Sequence, residues 1–357
     1  VSGKTRTGGE AVAQKEKTPP RIPFLSDAVF TLPLLGEIKG YYILLILLFF
    51  AYLITKSGIV GLGAGALIVF IVVWEFYSGV KTHGFGKEAK ETLIALGIAL
   101  LLWFGAGWLL NTPVPINAIV SCSMLPSYER GDMVLLQGSA PKAPVIDYDG
   151  SIGDINSNAH VQYRSHPNAK YPDSNIEVKG SIFAYCAKEG AGSGVCSDFA
   201  SNPGDFAEYH GPLKINYGHC TRVWPKSGQE RAAICVKSAE LSGRKIDFDY
   251  TNDLVVYAPK KNDLYSLVGD IVHRVAFGIR TPDGQVNYFT KGDNNPIFDF
   301  QAYEARYNAG NSPVDASQIK GKVIARIPYI GNFKMFITPP VLFSSGAESG
   351  CDSHFKN

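Results

Sequence analysis

Three apolar runs near the start of the chain, Gly40–Ile54, Ile59–Trp74 and Thr92–Leu110, limit what the whole sequence can fold into. The first is almost unbroken Tyr, Ile, Leu and Phe, the second opens with Gly61, Gly63 and Gly65, and the third carries Trp103 and Trp108 towards its end. A helix needs roughly 20 apolar residues to cross about 30 Å of hydrocarbon. With their flanks included, the runs predict three transmembrane helices, at about 40–56, 59–76 and 92–110. A membrane-embedded hairpin over the first two is the alternative, and it leaves residue 111 on the same side. Charge sets the direction: Lys4, Arg6, Lys15, Lys17, Arg21 and Lys39 precede the first run and Lys81, Lys87 and Lys90 precede the third, but only Lys56 separates the first from the second. The positive-inside rule then places the N-terminus and the 77–91 loop in the cytoplasm and everything after Leu110 outside, as in a multi-pass cell-membrane protein with an extracytoplasmic domain.

The remainder of the chain is polar, aromatic and rich in Gly, Pro, Asn and Asp, an asymmetry that a mean hydropathy of +0.02 conceals. A formal charge of +2 argues against nucleic acid as a partner. Residues 1–38 read as a cytosolic tail with an interfacial lead-in, and 39–110 as the membrane anchor. Asn111-Thr-Pro-Val-Pro then stops the helix and extends the chain. Short branched or aromatic runs follow at Met133–Leu136, Ile182–Cys186, Ala232–Val236, Leu254–Tyr257, Ile271–Phe277, Val286–Lys291 and Lys322–Ile327, separated by turn residues as in an all-β fold, and they predict a mainly-β domain whose catalytic part is built from 111–137 and 250–336. Residues 138–249 show little pattern and are expected to form a large insertion or second subdomain away from the chemistry. Residues 337–357 are a C-terminal tail.

None of the six cysteines lies in the first third of the chain. Cys186 with Cys196 and Cys220 with Cys235 have loop-like spacing that suits two disulfides in an oxidising compartment, and neither pair has the Cys-x-x-Cys spacing of a zinc or redox site. The seven histidines are scattered without metal-ligand spacing, so neither metal nor cofactor is expected.

Three polar clusters abut predicted strands: Ser121-Cys-Ser123, Gly269-Asp-Ile-Val-His-Arg-Val275, and Thr290-Lys-Gly-Asp-Asn-Asn-Pro-Ile-Phe-Asp299. A serine hydroxyl becomes a useful nucleophile only with a base in hydrogen-bond reach. His273 interrupts the apolar alternation of Ile271, Val272 and Val275, which gives an imidazole a fixed direction on a strand, and Asp293 and Asp299 flank a turn that could bring either beneath it. Spacing alone also suits a packed histidine and a plain Gly-Asp-Asn-Asn turn.

These motifs, in this order, resemble the type I signal peptidases, in particular the archaeal and endoplasmic-reticulum branch in which histidine replaces the lysine base of the bacterial enzymes. The resemblance rests on Ser121-Cys122-Ser123-Met124-Leu125-Pro126 with Arg130-Gly131-Asp132, on Gly269–Val275, on Thr290–Asn295 with Asp299, and on Gly321–Gly331, and it covers roughly 115–137 and 254–336. It implies a membrane-anchored β-fold serine peptidase that removes signal peptides after small residues. Ser123 would be the nucleophile and His273 the base, with Asp299 ranked ahead of Asp293 as the acid, and the Ser123 backbone N–H and Ser121 hydroxyl would hold the oxyanion. Met124, Leu125 and Pro126 would face substrate and membrane. Signal peptides of secretory precursors, the bilayer, and an export translocon or accessory subunits would be its partners. Cys122 stands where the family has glycine; a cysteine nucleophile or a pairing with Cys351 are the rival uses for it. The rival functions are a catalytically dead binding or envelope-assembly protein of the same fold, and a self-cleaving peptidase.

Overall fold

The computed structural model describes residues 21–32, 36–55, 58–163, 174–188, 190–223, 228–337 and Cys351. Most of the two expected tails therefore lies outside the described residues. The chain divides into two compact units, residues 1–102 with 336–338 and residues 103–335 with 339–357.

The first unit starts with an antiparallel hairpin of β1 (Ala28–Leu32) and β2 (Gly36–Lys39) and continues into α1 (Gly40–Thr55), α2 (Gly58–His83) and α3 (Phe85–Leu109), the last of which runs into the second unit. Two of these helices, α2 and α3, are long and apolar enough to cross a membrane. The expectation of three full spans is corrected here: α1 has 16 residues, short of the roughly 20 needed. The other two are longer than their apolar runs, because nothing between Trp74 and His83 breaks a helix. Gly84 ends α2 at φ 88°, a left-handed backbone that glycine adopts without a Cβ clash, with its N–H on Val80 O at 2.9 Å. Glu75, inside α2, is partnered by Lys39 at 2.9 Å and by the hydroxyls of Tyr41 and Tyr42.

The second unit is a large, mainly-β domain. Its strands begin with β3 (Ile116–Ala118), β4 (Met133–Gln137) and β5 (Val145–Asp147) and continue with β6 (Asn158–Tyr163) and β7 (Ser174–Lys179). After the short helices α4 (Ile182–Ala187) and α5 (Gly194–Ser201) come β8 (Phe206–His210), β9 (Leu213–Val223), β10 (Glu230–Leu241) and β11 (Arg244–Asp247). The chain closes through β12 (Leu254–Tyr257), β13 (Ile271–Arg280), β14 (Val286–Lys291), the two-residue pair β15 (Tyr303–Glu304) and β16 (Ala309–Gly310), β17 (Val314–Asp315), β18 (Ile319–Ile327) and α6 (Gly331–Ile337). One sheet, in the order β17-β14-β13-β12-β18-β4-β3 with β5 parallel to β13, curls into a half-barrel, and a second has the order β11-β10-β9-β8-β6-β7.

The 138–249 segment is not set apart from the first sheet. Val161, Phe206, Leu213, Ile215, Tyr217 and Val236 from it pack in one core with Ala276, Phe277, Ile279 and Phe289 of β13 and β14 and with Phe298 and Phe300. Strands buried on both faces read as continuous apolar runs, which is why β12 and β13 are legible in the sequence while of the half-exposed β9 and β10 only Ala232–Val236 is; Ile182–Cys186, expected as a strand, is corrected to the helix α4. The cysteines in this segment form two disulfides, Cys186–Cys196 between α4 and α5 and Cys220–Cys235 across β9 and β10.

A buried polar knot joins the two sheets. Glu208 on β8, fully buried, accepts hydrogen bonds from Ile182 N–H at 2.8 Å, Tyr217 hydroxyl at 3.0 Å and Gln301 Nε2, and pairs with His210 Nε2 at 2.7 Å. Removing the carboxylate would strand these partners without water. Glu208→Leu is therefore expected to lower the unfolding free energy by about 3 kcal/mol or more, read by denaturant titration of the full chain in detergent with far-UV circular dichroism; a loss below about 1 kcal/mol would contradict this account.

Candidate active site

The half-barrel brings together side chains from distant parts of the chain. Ser123 lies in the turn between β3 and β4, His273 on β13, and Asp299 in the 3-10 turn 299–301 that follows β14. His273 Nδ1 stands 2.7 Å from Asp299 Oδ2, and its Nε2 stands 2.9 Å from Ser123 Oγ. With the ring proton on Nδ1 donated to the carboxylate, Nε2 is left to accept the serine proton. Asp299 and His273 are buried, whereas Ser123 is half-exposed.

The carboxylate is fixed by more than the imidazole. Asp299 Oδ2 also accepts from Thr290 Oγ1 at 2.6 Å and Tyr257 hydroxyl at 3.0 Å, and Asp299 O accepts from Asn311 Nδ2 at 2.9 Å. Burial, and then the Asp299 charge, push the Tyr257 phenol well above its ordinary pKa, so it stays a neutral donor. Asp299 Oδ1 is buried with no hydrogen-bond partner among the described residues.

The segment that follows β14 grips the serine turn. Asn294 N–H donates to Ser123 O at 2.7 Å, and Asn294 Nδ2 donates to Cys122 O at 3.1 Å. A Cβ at Gly292 would lie 2.7 Å from Ser123 O, so this close approach requires glycine. Lys291, fully buried, staples the same segment by donating to Gly292 O at 3.0 Å and Asn295 O at 2.8 Å, with its ammonium 4.4 Å from the Phe248 ring centroid. Asp293 does not reach His273. It pairs side-on with Arg274 instead, at 2.8 Å to Nε and 2.7 Å to Nη2, while Arg274 Nη1 donates to Asn252 O at 2.6 Å.

A cleft of about 320 Å³ opens over these groups, lined by residues 118–121, Ser123, Tyr265, Val268, residues 270–273 and Asn295. Ser121 is exposed in it, with its Oγ 3.0 Å from Ser123 Oγ. A larger groove, of about 660 Å³, lies between residues 144–146 and 244–250 and contains none of the clustered polar residues.

One expectation is corrected. Met124 and Leu125 do not face outward: they are 0% and 2% exposed, because the turn after Ser123 folds both side chains into the domain and leaves only Pro126 at the surface. The apolar side chains that are exposed at the cleft are Val120 and Val268. Of the two rival uses for Cys122, the structure has the pairing with Cys351: the side chain is buried in that disulfide and is not a free thiol beside Ser123. The supporting roles of Tyr257, Thr290, Lys291, Asn294 and Asn311 went unread, although Thr290, Lys291 and Asn294 stand inside the motif that drew attention to Asp293 and Asp299.

No protein-family model and no curated protein matches this sequence. The chemistry of the site therefore stands on its geometry.

Burial lowers the pKa of Lys291 from 10.5 to about 8, with Arg222 and Arg274 adding to the effect and Asp293 and Asp299 opposing it. Below pH 8 the amine is charged in both folded and unfolded chains, and the cost of burying it is present in full. Between pH 8 and 10.5 the folded chain releases the proton first, so stability rises with pH through that window. The unfolding free energy of the wild type relative to Lys291→Met is expected to rise by roughly 3 kcal/mol from pH 7.5 to 10.5 in detergent. A flat difference would show that the ammonium is not desolvated.

Proposed function

We propose that this chain is a membrane-bound serine endopeptidase that removes N-terminal signal peptides from exported proteins, cutting after small residues, as the signal peptidases of the archaeal and endoplasmic-reticulum branch do. The carrying observation is the hydrogen-bonded line from Ser123 Oγ through His273 to Asp299, open at its serine end to a solvent-exposed cleft. Four motifs of that branch, in its order, support the reading, and two apolar helices suited to a membrane precede the domain. In this reading the domain lies on the extracytoplasmic face, where signal peptides emerge, with Lys81, Lys87 and Lys90 at the link between those two helices on the cytoplasmic side.

In this mechanism Ser123 Oγ attacks the carbonyl carbon at the end of the signal peptide while His273 Nε2 takes its proton. The Asp299 carboxylate orients the ring and stabilises the imidazolium. Negative charge develops on the former carbonyl oxygen, within reach of the Ser123 backbone N–H and the Ser121 hydroxyl. Collapse breaks the peptide C–N bond, and the imidazolium gives its proton to the leaving amine. His273 then draws a proton from water, whose oxygen attacks the acyl-serine ester, and the proton returns to Ser123 as the signal peptide leaves. The substrate chain enters extended, as a strand laid along the cleft.

The full chain reconstituted in liposomes is expected to cleave a secretory precursor at a small-x-small site, and Ser123→Ala and His273→Ala should each slow cleavage about 100-fold or more. Wild-type rates in both variants would refute the assignment, and an inert wild type would favour a binding or assembly role. Asp299→Asn should cost about 100-fold or more in kcat because it disturbs the imidazole tautomer directly, and Asp293→Asn should cost less because it acts through Arg274 and the segment 292–295. The reverse ranking would place the acid at Asp293.

A further inference from the structure

The link between β12 and β13 presents a side chain at the cleft that the mechanism above does not use. Residues Leu264–Leu267 form a 3-10 turn, and Tyr265 leans from it edge-on against the imidazole, with ring centroids 6.4 Å apart and planes at 80°. Two ties fix this turn to the segment that carries the carboxylate. Tyr265 N–H donates to Asn311 Oδ1 at 3.0 Å, and the same Asn311 side chain donates to Asp299 O at 2.9 Å. Next to it, Ser312 Oγ donates to the carboxylate of Asp263 at 2.9 and 3.1 Å. The Tyr265 hydroxyl itself makes no hydrogen bond among the described residues. Its pKa is raised by burial and by Asp299, so it carries no charge at the site. What Tyr265 contributes is a ring held in place.

That ring bounds the cleft shared by Ser121, Ser123 and His273. A peptide carbonyl attacked by Ser123 Oγ and stabilised by Ser121 has to lie in this cleft, and the side chain of the residue that supplies the carbonyl enters with it. At about 320 Å³ the cleft is at the small end for a ligand site, and the space beside the imidazole is already taken by an aromatic ring. Asn311, which also holds the Asp299 turn, pins the backbone from which the ring projects, so the point at which the ring enters the cleft is fixed. A bulky side chain would therefore compete with the ring for space.

Resting on the peptidase reading of the site, we infer that Tyr265 is the specificity-determining residue for the side chain on the acyl side of the scissile bond. Its ring admits Gly, Ala or Ser and excludes branched and aromatic side chains. The test uses the full chain in liposomes and three precursors that differ only in the residue before the cut: Gly, Ala or Leu. Tyr265→Ala should raise the ratio of kcat/KM for Leu over Ala by about tenfold or more, Tyr265→Trp should raise the ratio for Gly over Ala by about tenfold, and Tyr265→Phe should leave both within about twofold. Each ratio is taken within one variant, so a smaller folded fraction cancels. Unchanged ratios in the Ala and Trp variants would overturn the role of Tyr265 and leave the peptidase reading intact, whereas a wild type that cuts none of the three would overturn both.

Discussion

One buried oxygen, Asp299 Oδ2, accepts hydrogen bonds from His273, Thr290 and Tyr257, and the rest of the site depends on where it is held. Three donors from three strands converge on it, so β12, β13 and β14 must keep their register for the imidazole to point at Ser123. The turn that carries Asp299 is anchored from behind. Gln301, two residues on, is fully buried and donates to Glu208 on β8 and, at 2.8 Å, to Tyr217 on β9, so the second sheet supports the acid of the first. The 138–249 segment, which carries none of the recognised motifs, thereby helps to position the site.

The neighbourhood is costly to fold. Lys291, the Arg274–Asp293 pair and the Glu208–His210 pair all sit in the interior, where a charge is tolerated only with partners placed to meet it. Each of them does structural service near the cluster. Lys291 holds the carbonyls of the segment that grips Cys122 and Ser123, Arg274 clamps Asp293 within that segment, and Glu208 ties down the Asp299 turn. This concentration of buried, fully engaged polar groups is the expected accompaniment of a preorganised polar site, and less expensive apolar packing would serve a purely structural sheet.

What could be read in the sequence follows from how local each signal is. His273 stands out because it is a polar residue set in an apolar strand, Ser123 and Asp299 are picked out from Ser121 and Asp293 by the family resemblance, and β12 and β13 stand out because they are buried on both faces. Tyr257 is an ordinary strand residue until register brings it to Asp299, Thr290 stands in the motif but its bond to Asp299 depends on the turn after β14, and the tie from Glu208 to Gln301 links distant segments and leaves no local trace. Met124 and Leu125 misled because an apolar residue beside an exposed serine looks the same whether it faces lipid or core. The length of α1 misled because its apolar run counts toward a span only if the helix continues beyond it. Cys186 with Cys196 and Cys220 with Cys235 lie close in sequence, whereas Cys122 and Cys351 are separated by 229 residues, so the sequence leaves their pairing as one of two uses for Cys122 and the fold decides it.

The central claim is that the geometry around His273 makes Ser123, and not its neighbour Ser121, the nucleophile. The most direct measurement is the rate and position of covalent labelling by a serine-reactive fluorophosphonate on the full chain in detergent, read by intact mass and peptide mapping. The account predicts a single adduct on Ser123 that forms about 100-fold more slowly in His273→Ala. Labelling of Ser121 in preference to Ser123, or a Ser123 rate indifferent to the loss of His273, would contradict it.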